Sequence, residues 1–173
     1  AQQVDGVIFM GHQLSDEVSK EIDLTDTPVV LAGTVDETNE LPSIVIDYKG
    51  AIKDSTQLLI DNGHKKIALL GIDMESKKQK NSTEGYKEAM ENSGLTYDES
   101  FVIRISPDLN LLDAAELVNQ LTELGVTAAA VEDDRIAISL LNELIEQGIE
   151  VPNDFEIVTS NNSPLVDISR PKL

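Results

Sequence analysis

Cysteine and tryptophan are both missing from these 173 residues, and only 3% of them are aromatic. Without cysteine there is no disulfide framework and no thiolate chemistry, a usage that fits a reducing compartment. So few aromatic rings leave no stacking platform for single-stranded nucleic acid. Positive charge is scarce as well: 13 Lys and Arg stand against 32 Asp and Glu, a formal net charge of −19. Such a surface repels phosphate backbones, so these residues alone are not expected to bind DNA. No apolar run approaches the length of a membrane span, and no basic-then-apolar secretory signal opens the chain. Catalytic signatures are also missing. There is no Gly-x-Ser-x-Gly elbow, and no Walker A loop or Gly-x-Gly-x-x-Gly follows a strand, so no enzyme is expected. The only histidines, His12 and His64, lack the partners of a zinc site. His64 reads as a turn residue against a helix end. No metal and no cofactor are expected.

What is present is a hydrophobic content of 40% in a regular alternation. Residues 148–158, Gly-Ile-Glu-Val-Pro-Asn-Asp-Phe-Glu-Ile-Val, show it most clearly. Before them Ile136, Ala137, Leu140, Leu141, Leu144 and Ile145 recur with a helical period, predicting a helix from Asp134 to Gln147. Gly148 supplies a left-handed cap, Pro152 forbids continuation, and Phe155, Ile157 and Val158 make a short buried strand. With the apolar run Thr127–Val131 upstream, this is a βαβ unit.

The rest of the chain repeats the theme. Strands are predicted at 4–10, 28–33, 43–48, 66–71 and 101–105. Helices are predicted around Leu14, Val18 and Ile22, and at 50–62, 82–93 and 111–124, the last three ended by Gly63, Gly94 and Gly125. The helix at 50–62 is expected to turn Ala51, Ser55, Leu58 and Leu59 inward. Residues 35–42 and the Lys-rich 72–79 read as loops, and residues 161–173 as a tail. The fold class is therefore α/β with parallel, doubly wound sheets.

In such sheets ligands sit beyond the carboxyl ends of the strands. The topological candidates are Gly11 and His12, Asp73, Ser82, the run Glu132-Asp133-Asp134, and Asn161 with Asn162. The acidic run allows three readings. It can cap a helix N-terminus, contact the hydroxyls of a ligand, or contribute to a hard-cation site, for which the remaining oxygen ligands are missing. Lys77, Lys78 and Lys80 can be a solvated loop or point charges for a phosphate.

Several of these stretches resemble LacI/GalR-type bacterial transcription regulators. Gly148-x-x-Val-Pro-x-Asp-x-x-Ile157 follows an amphipathic helix as in that family. Val4-Asp-Gly-Val-Ile-Phe-Met10 resembles its Val-Asp-Gly-Ile-Ile strand, and Asp61-Asn-Gly-His-Lys-Lys-Ile67 its Gly-His-x-x-Ile turn. Gly85-Tyr86 resembles its Gly-Tyr pair and Arg170-Pro-Lys-Leu173 its Arg-Pro-x-Leu. Order and spacing hold across nearly the whole chain.

The resemblance implies a periplasmic-binding-protein-like core of two subdomains, present in part. Residues 1–45 would be the end of the first subdomain and 46–160 the second, with 161–173 a crossing segment. A hinge is implied near Ser43–Tyr48. The family's helix-turn-helix is expected before residue 1 and its returning elements after Leu173. The implied protein is a cytoplasmic homodimer that touches DNA only through that helix-turn-helix and does not engage a membrane. Its effector is implied to be a sugar or sugar phosphate; the resemblance points to the positions of Asp134, Asn161 and Ser82, and with Asp73, placed there by topology, these are the expected effector contacts. Family members devoted to carbon catabolite control also take serine-phosphorylated phosphocarrier protein HPr as a partner. Two departures bear on the effector. Where sugar-responsive members have Gly-Phe-Asp, this chain has Thr159-Ser160-Asn161, and their effector-gripping Arg is Ser82 here. The competing expectation is a sugar-binding receptor of a transport system, which shares the fold.

Overall fold

The computed structural model describes residues 4–11, 18, 20, 22, 27–34, 41–73 and 76–173. His12 and all but two residues of the predicted loop at 35–42 lie outside that set, as does Leu14. Val18 and Ile22, from the same predicted helix, are helical.

The chain divides into two compact units, Ala1–Asp47 and Tyr48–Leu173. The first holds strands β1 (Val7–Met10), β2 (Val29–Ala32) and β3 (Ser43–Ile44), all parallel, in the order β1-β2-β3. Central β2 buries Val29 and Leu31, whereas Ile8 and Met10 of β1 are 72% and 79% exposed. The run predicted as a strand over 43–48 pairs with β2 only through Ser43 and Ile44. Tyr48 already belongs to a helix.

The second unit is built from α1 (Tyr48–Asp61), β4 (Ile67–Ile72), α2 (Lys77–Asn92), β5 (Val102–Ile105), α3 (Ala114–Leu124), β6 (Ala128–Val131), α4 (Asp134–Glu146), β7 (Glu156–Thr159) and the short α5 (Pro164–Ile168). Its four strands are parallel and ordered β5-β4-β6-β7. Because parallel strands need crossovers, the sheet is covered on both faces. Ile67 and Leu69 of β4 and Ala128 and Ala130 of β6 pack with Ile52, Leu59, Tyr86 and Met90 of α1 and α2. Ala68, Leu70, Ala129 and Val131 point to the other face, against Leu117, Val118 and Leu121 of α3 and Ile136, Leu140 and Leu144 of α4. From β4 the chain crosses on the α2 side to β5, and from β6 on the α4 side to β7. The winding therefore reverses between the neighbours β4 and β6, and a crevice is expected at their carboxyl ends.

Local chemistry moves several predicted boundaries. The inward residues of α1 are Ile52, Thr56 and Leu59, and Leu58 is exposed. Thr56 tolerates burial because its hydroxyl donates to the Ile52 carbonyl at 2.7 Å. The Lys-rich segment is not loop throughout. Ser76 caps α2 by accepting from Gln79 N, and Lys77, Lys78 and Lys80 form the first turns. Lys and Gln are good helix formers, and Lys78 Nζ sits 4.8 Å from the Tyr48 ring centroid. Asp113 caps α3, which starts at Ala114; Leu111 instead lies in a 3-10 turn with Leu109. Within the tail, α5 buries Val166.

At the amino ends of the strands His64 is a turn residue. Its Nδ1 lies 2.8 Å from Thr127 Oγ1 and its Nε2 3.0 Å from Glu156 Oε2, while Asn62 Nδ2 donates to Glu156 Oε1 at 2.7 Å. The α1–β4 turn is thereby tied to the starts of β6 and β7.

Helices α1 and α2 meet at Gly85, where a Cβ would collide with the Lys49 carbonyl oxygen. Next to it Tyr86 is sealed, and its hydroxyl donates to Ile67 O at 2.7 Å. Burial accordingly pushes the phenol well above its ordinary pKa. Gly85→Ala is expected to cost about 1–3 kcal/mol by forcing the helices apart. Gly94→Ala meets open space but a φ of +72°, and is expected to cost about 1 kcal/mol. Urea unfolding of both variants checks the order.

Candidate functional site

The sheet carries no polar side chain along β4 or β6, so polar groups collect where those strands end. Glu132 follows β6, and its backbone N–H donates to Leu70 O at 2.9 Å. Asp133 then caps α4, accepting from Arg135 N at 2.9 Å. It also takes the Arg135 guanidinium at 3.0 Å (Nε to Oδ1) and 2.8 Å (Nη2 to Oδ2). Burial alone would raise the Asp133 carboxyl, but the Arg135 bonds win and hold it below the ordinary Asp value.

Asp134 is 5% exposed, and both of its oxygens are occupied. Thr159 Oγ1 donates to Oδ1 at 3.0 Å and Ser163 N to Oδ2 at 3.1 Å. One buried carboxylate thus pins the end of β7 and the start of α5 to the start of α4. Asn161 joins the same group: its Nδ2 donates to Glu132 O at 3.2 Å and its N–H to Thr159 Oγ1 at 3.4 Å. The Asn161 carbonyl oxygen has no partner among the described residues. The structure therefore brings Asp134 and Asn161 together through Thr159.

Ser82 and Asp73 lie elsewhere in hydrogen-bonding terms. Ser82 is fully enclosed on the inner face of α2, and its Oγ has no partner. Asp73 is exposed just past β4, its N–H donating to Ile105 O at 2.7 Å.

Sequence reasoning missed a buried ion pair. Arg104, on β5, donates from Nη1 to Glu132 Oε1 at 2.8 Å, with side chains 14% and 5% exposed. Its Nη2 donates to Thr83 Oγ1 of α2 at 2.6 Å. The pair spans β5, β4 and β6 because the strand between them carries Gly71: a Cβ there would strike Arg104 Nη1 and come within 2.7 Å of Glu132 Cδ. The one available signal was an Arg inside an otherwise apolar strand, one residue before its end. Among the described residues no cluster of three or more His, Asp or Glu could hold a metal ion. None of their helices is long and apolar enough to cross a membrane.

A doubly wound parallel sheet with polar groups gathered at its switch point defines a ligand-binding α/β class. Comparison with known families makes it specific. Residues 1–169 match the model of periplasmic binding proteins and the sugar binding domain of the LacI family, and the chain belongs to that family. Catabolite control protein A of Streptococcus mutans is 40% identical over 174 residues, covering 100% of this chain and 51% of that protein. The protein of the same name from Priestia megaterium is 36% identical, covering 99% of this chain and 52% of its own length. The crystal structure of the transcription regulator CcpA of Lactococcus lactis superposes with a TM-score of 0.84 at 36% identity, over 98% of this chain and 62% of that one. The chain spans about half the length of the curated relatives it matches.

Three variants test this geometry by denaturant unfolding. Asp134→Ala leaves Thr159 and Ser163 N–H unpaired and is expected to cost about 2–4 kcal/mol. Ser82→Ala removes a hydroxyl that bonds nothing and is expected to be neutral or stabilising. Asp133→Asn is expected to be less stable than the parent at neutral pH. Because the folded Asp133 pKa is depressed, its contribution is present above the ordinary Asp value, and the gap should close as pH falls through the folded one.

Proposed function

We infer that this chain is the ligand-responsive core of a bacterial LacI/GalR-type transcription regulator serving carbon catabolite control. The observation that carries the reading is the hydrogen-bonded group Glu132, Asp134, Thr159 and Asn161 at the sheet's switch point, in a chain whose matched relatives include two named catabolite control protein A. The effector is a sugar or sugar phosphate, with Asp134, Asn161, Ser82 and Asp73 as the contact set. Asn161 and Asp73 are already exposed; Asp134 and Ser82 are enclosed, so contact with them requires the network to open. Serine-phosphorylated HPr is the protein partner.

The working protein is a cytoplasmic homodimer whose DNA contacts come from a helix-turn-helix outside these residues. Its two core subdomains, 1–45 and 46–160 joined through crossing segments, adopt alternative relative orientations. A ligand that prefers one orientation shifts the population toward it, and the spacing of the two DNA-binding heads changes with it.

The test is fluorescence anisotropy of the full-length protein on catabolite-responsive operator DNA, with and without phosphorylated HPr and with neutral sugars and sugar phosphates. Operator affinity is expected to change by about fivefold or more with at least one of them. Asn161→Ala should weaken the small-molecule response and leave the HPr response intact. An operator affinity indifferent to every addition would sink the reading.

A further inference from the structure

The Arg104–Glu132 pair lies at the same crevice and does more than fill it. Arg104 has five N–H donors. One goes to Glu132 Oε1, and Nη2 serves Thr83 Oγ1 and, at 3.5 Å, Gln79 O. Glu132 Oε2 receives no bond from the described residues. The Glu132 side chain is 5% exposed and that of Arg104 14%. The pair thus holds a carboxylate oxygen that no described residue bonds beside a guanidinium with donors to spare, and it carries no net charge.

The surroundings are negative. Asp73, Glu132, Asp133 and Asp134 stand at these strand ends against Arg104 and Arg135, and Arg135 is bound to Asp133. Lys78 is engaged by Tyr48, and Lys77 and Lys80 are exposed on α2, where solvent screens them. An unpaired guanidinium at a strand end would be a fork for phosphate. Here its charge is cancelled at 2.8 Å by the Glu132 carboxylate.

We propose that Glu132 sets the charge selectivity of this site: by neutralising Arg104 over Gly71, it makes the sheet end accept an uncharged polyhydroxylated ligand and turn away its phosphate ester. The proposal rests on the effector-site reading given above. A donor and an acceptor side by side suit neighbouring hydroxyls, which both donate and accept. A phosphate dianion donates nothing to Glu132 Oε2 and is repelled by it.

Calorimetric titration of the full-length protein with inorganic phosphate at low ionic strength tests this. The parent protein should show no phosphate binding that depends on Arg104. Glu132→Gln, which keeps the shape and removes the charge, should bind phosphate about tenfold tighter or better, and adding Arg104→Met should abolish the gain. Unchanged phosphate affinity in Glu132→Gln overturns the proposal, as does a gain that survives loss of Arg104. Should Glu132→Gln fail to fold, the parent protein still decides: phosphate binding that disappears in Arg104→Met refutes the charge filter, and its absence supports it. Failure of the effector reading appears separately, as operator affinity that ignores every addition.

Discussion

Burial of β4 and β6 on both faces is the constraint from which the rest of this structure follows. From Ile67 to Gly71 and from Ala128 to Val131 every residue is buried. A strand covered on both sides cannot hold a polar side chain without a partner, since an unpaired buried polar group costs more than a hydrogen bond returns. Polar chemistry is pushed off the strands to their two ends. At the amino ends it becomes the His64, Thr127 and Glu156 tie. At the carboxyl ends it becomes Glu132, Asp133, Asp134, Thr159 and Asn161.

Those carboxyl-end groups illustrate how charge is accommodated near a dry core. Asp134 and Glu132 are both almost wholly enclosed, and each is held by a different device. Asp134 is met by a hydroxyl and a backbone N–H; Glu132 is met by a guanidinium. Breaking a buried pair by removing one partner costs far more than the intact pair contributes. The network is therefore stiff, and the elements it joins, α4, β7 and α5, are expected to move as one piece.

Geometry at two glycines makes this possible. Gly85 lets α1 and α2 come together on one face, which seals Tyr86 and Ser82 between helix and sheet. Gly71 leaves room over β4 for Arg104 to reach Glu132. Neither glycine has a positive φ; what each supplies is the missing side chain. The chain belongs to the family of periplasmic binding proteins and LacI-type sugar binding domains, and the proposed effector contacts and the buried ion pair lie at this same end of the sheet.

Much of the architecture was legible in the residues. The helical stripe of α4, the caps at Gly125 and Gly148 and the apolar runs of β4 and β6 report short-range sterics and burial periodicity, which are properties of neighbouring residues. The parallel α/β class, the family motifs and the capping role of the acidic run follow from them. What the residues did not disclose depends on contacts between positions far apart. The inward turn of Thr56 needed the rotation of α1 against the sheet. The extension of α2 through Lys77 needed the Ser76 cap and Tyr48 beneath Lys78. Arg104 and Glu132 are 28 residues apart, and nothing local to either announces the other. Strand order alone brings β5 and β6 to opposite sides of β4, and only then does a glycine between them become the floor of a charge pair. Sequence by itself determined the elements, their caps and the family; tertiary structure decided which polar groups meet, because hydrogen bonds and ion pairs act over a few ångströms that only the folded chain sets.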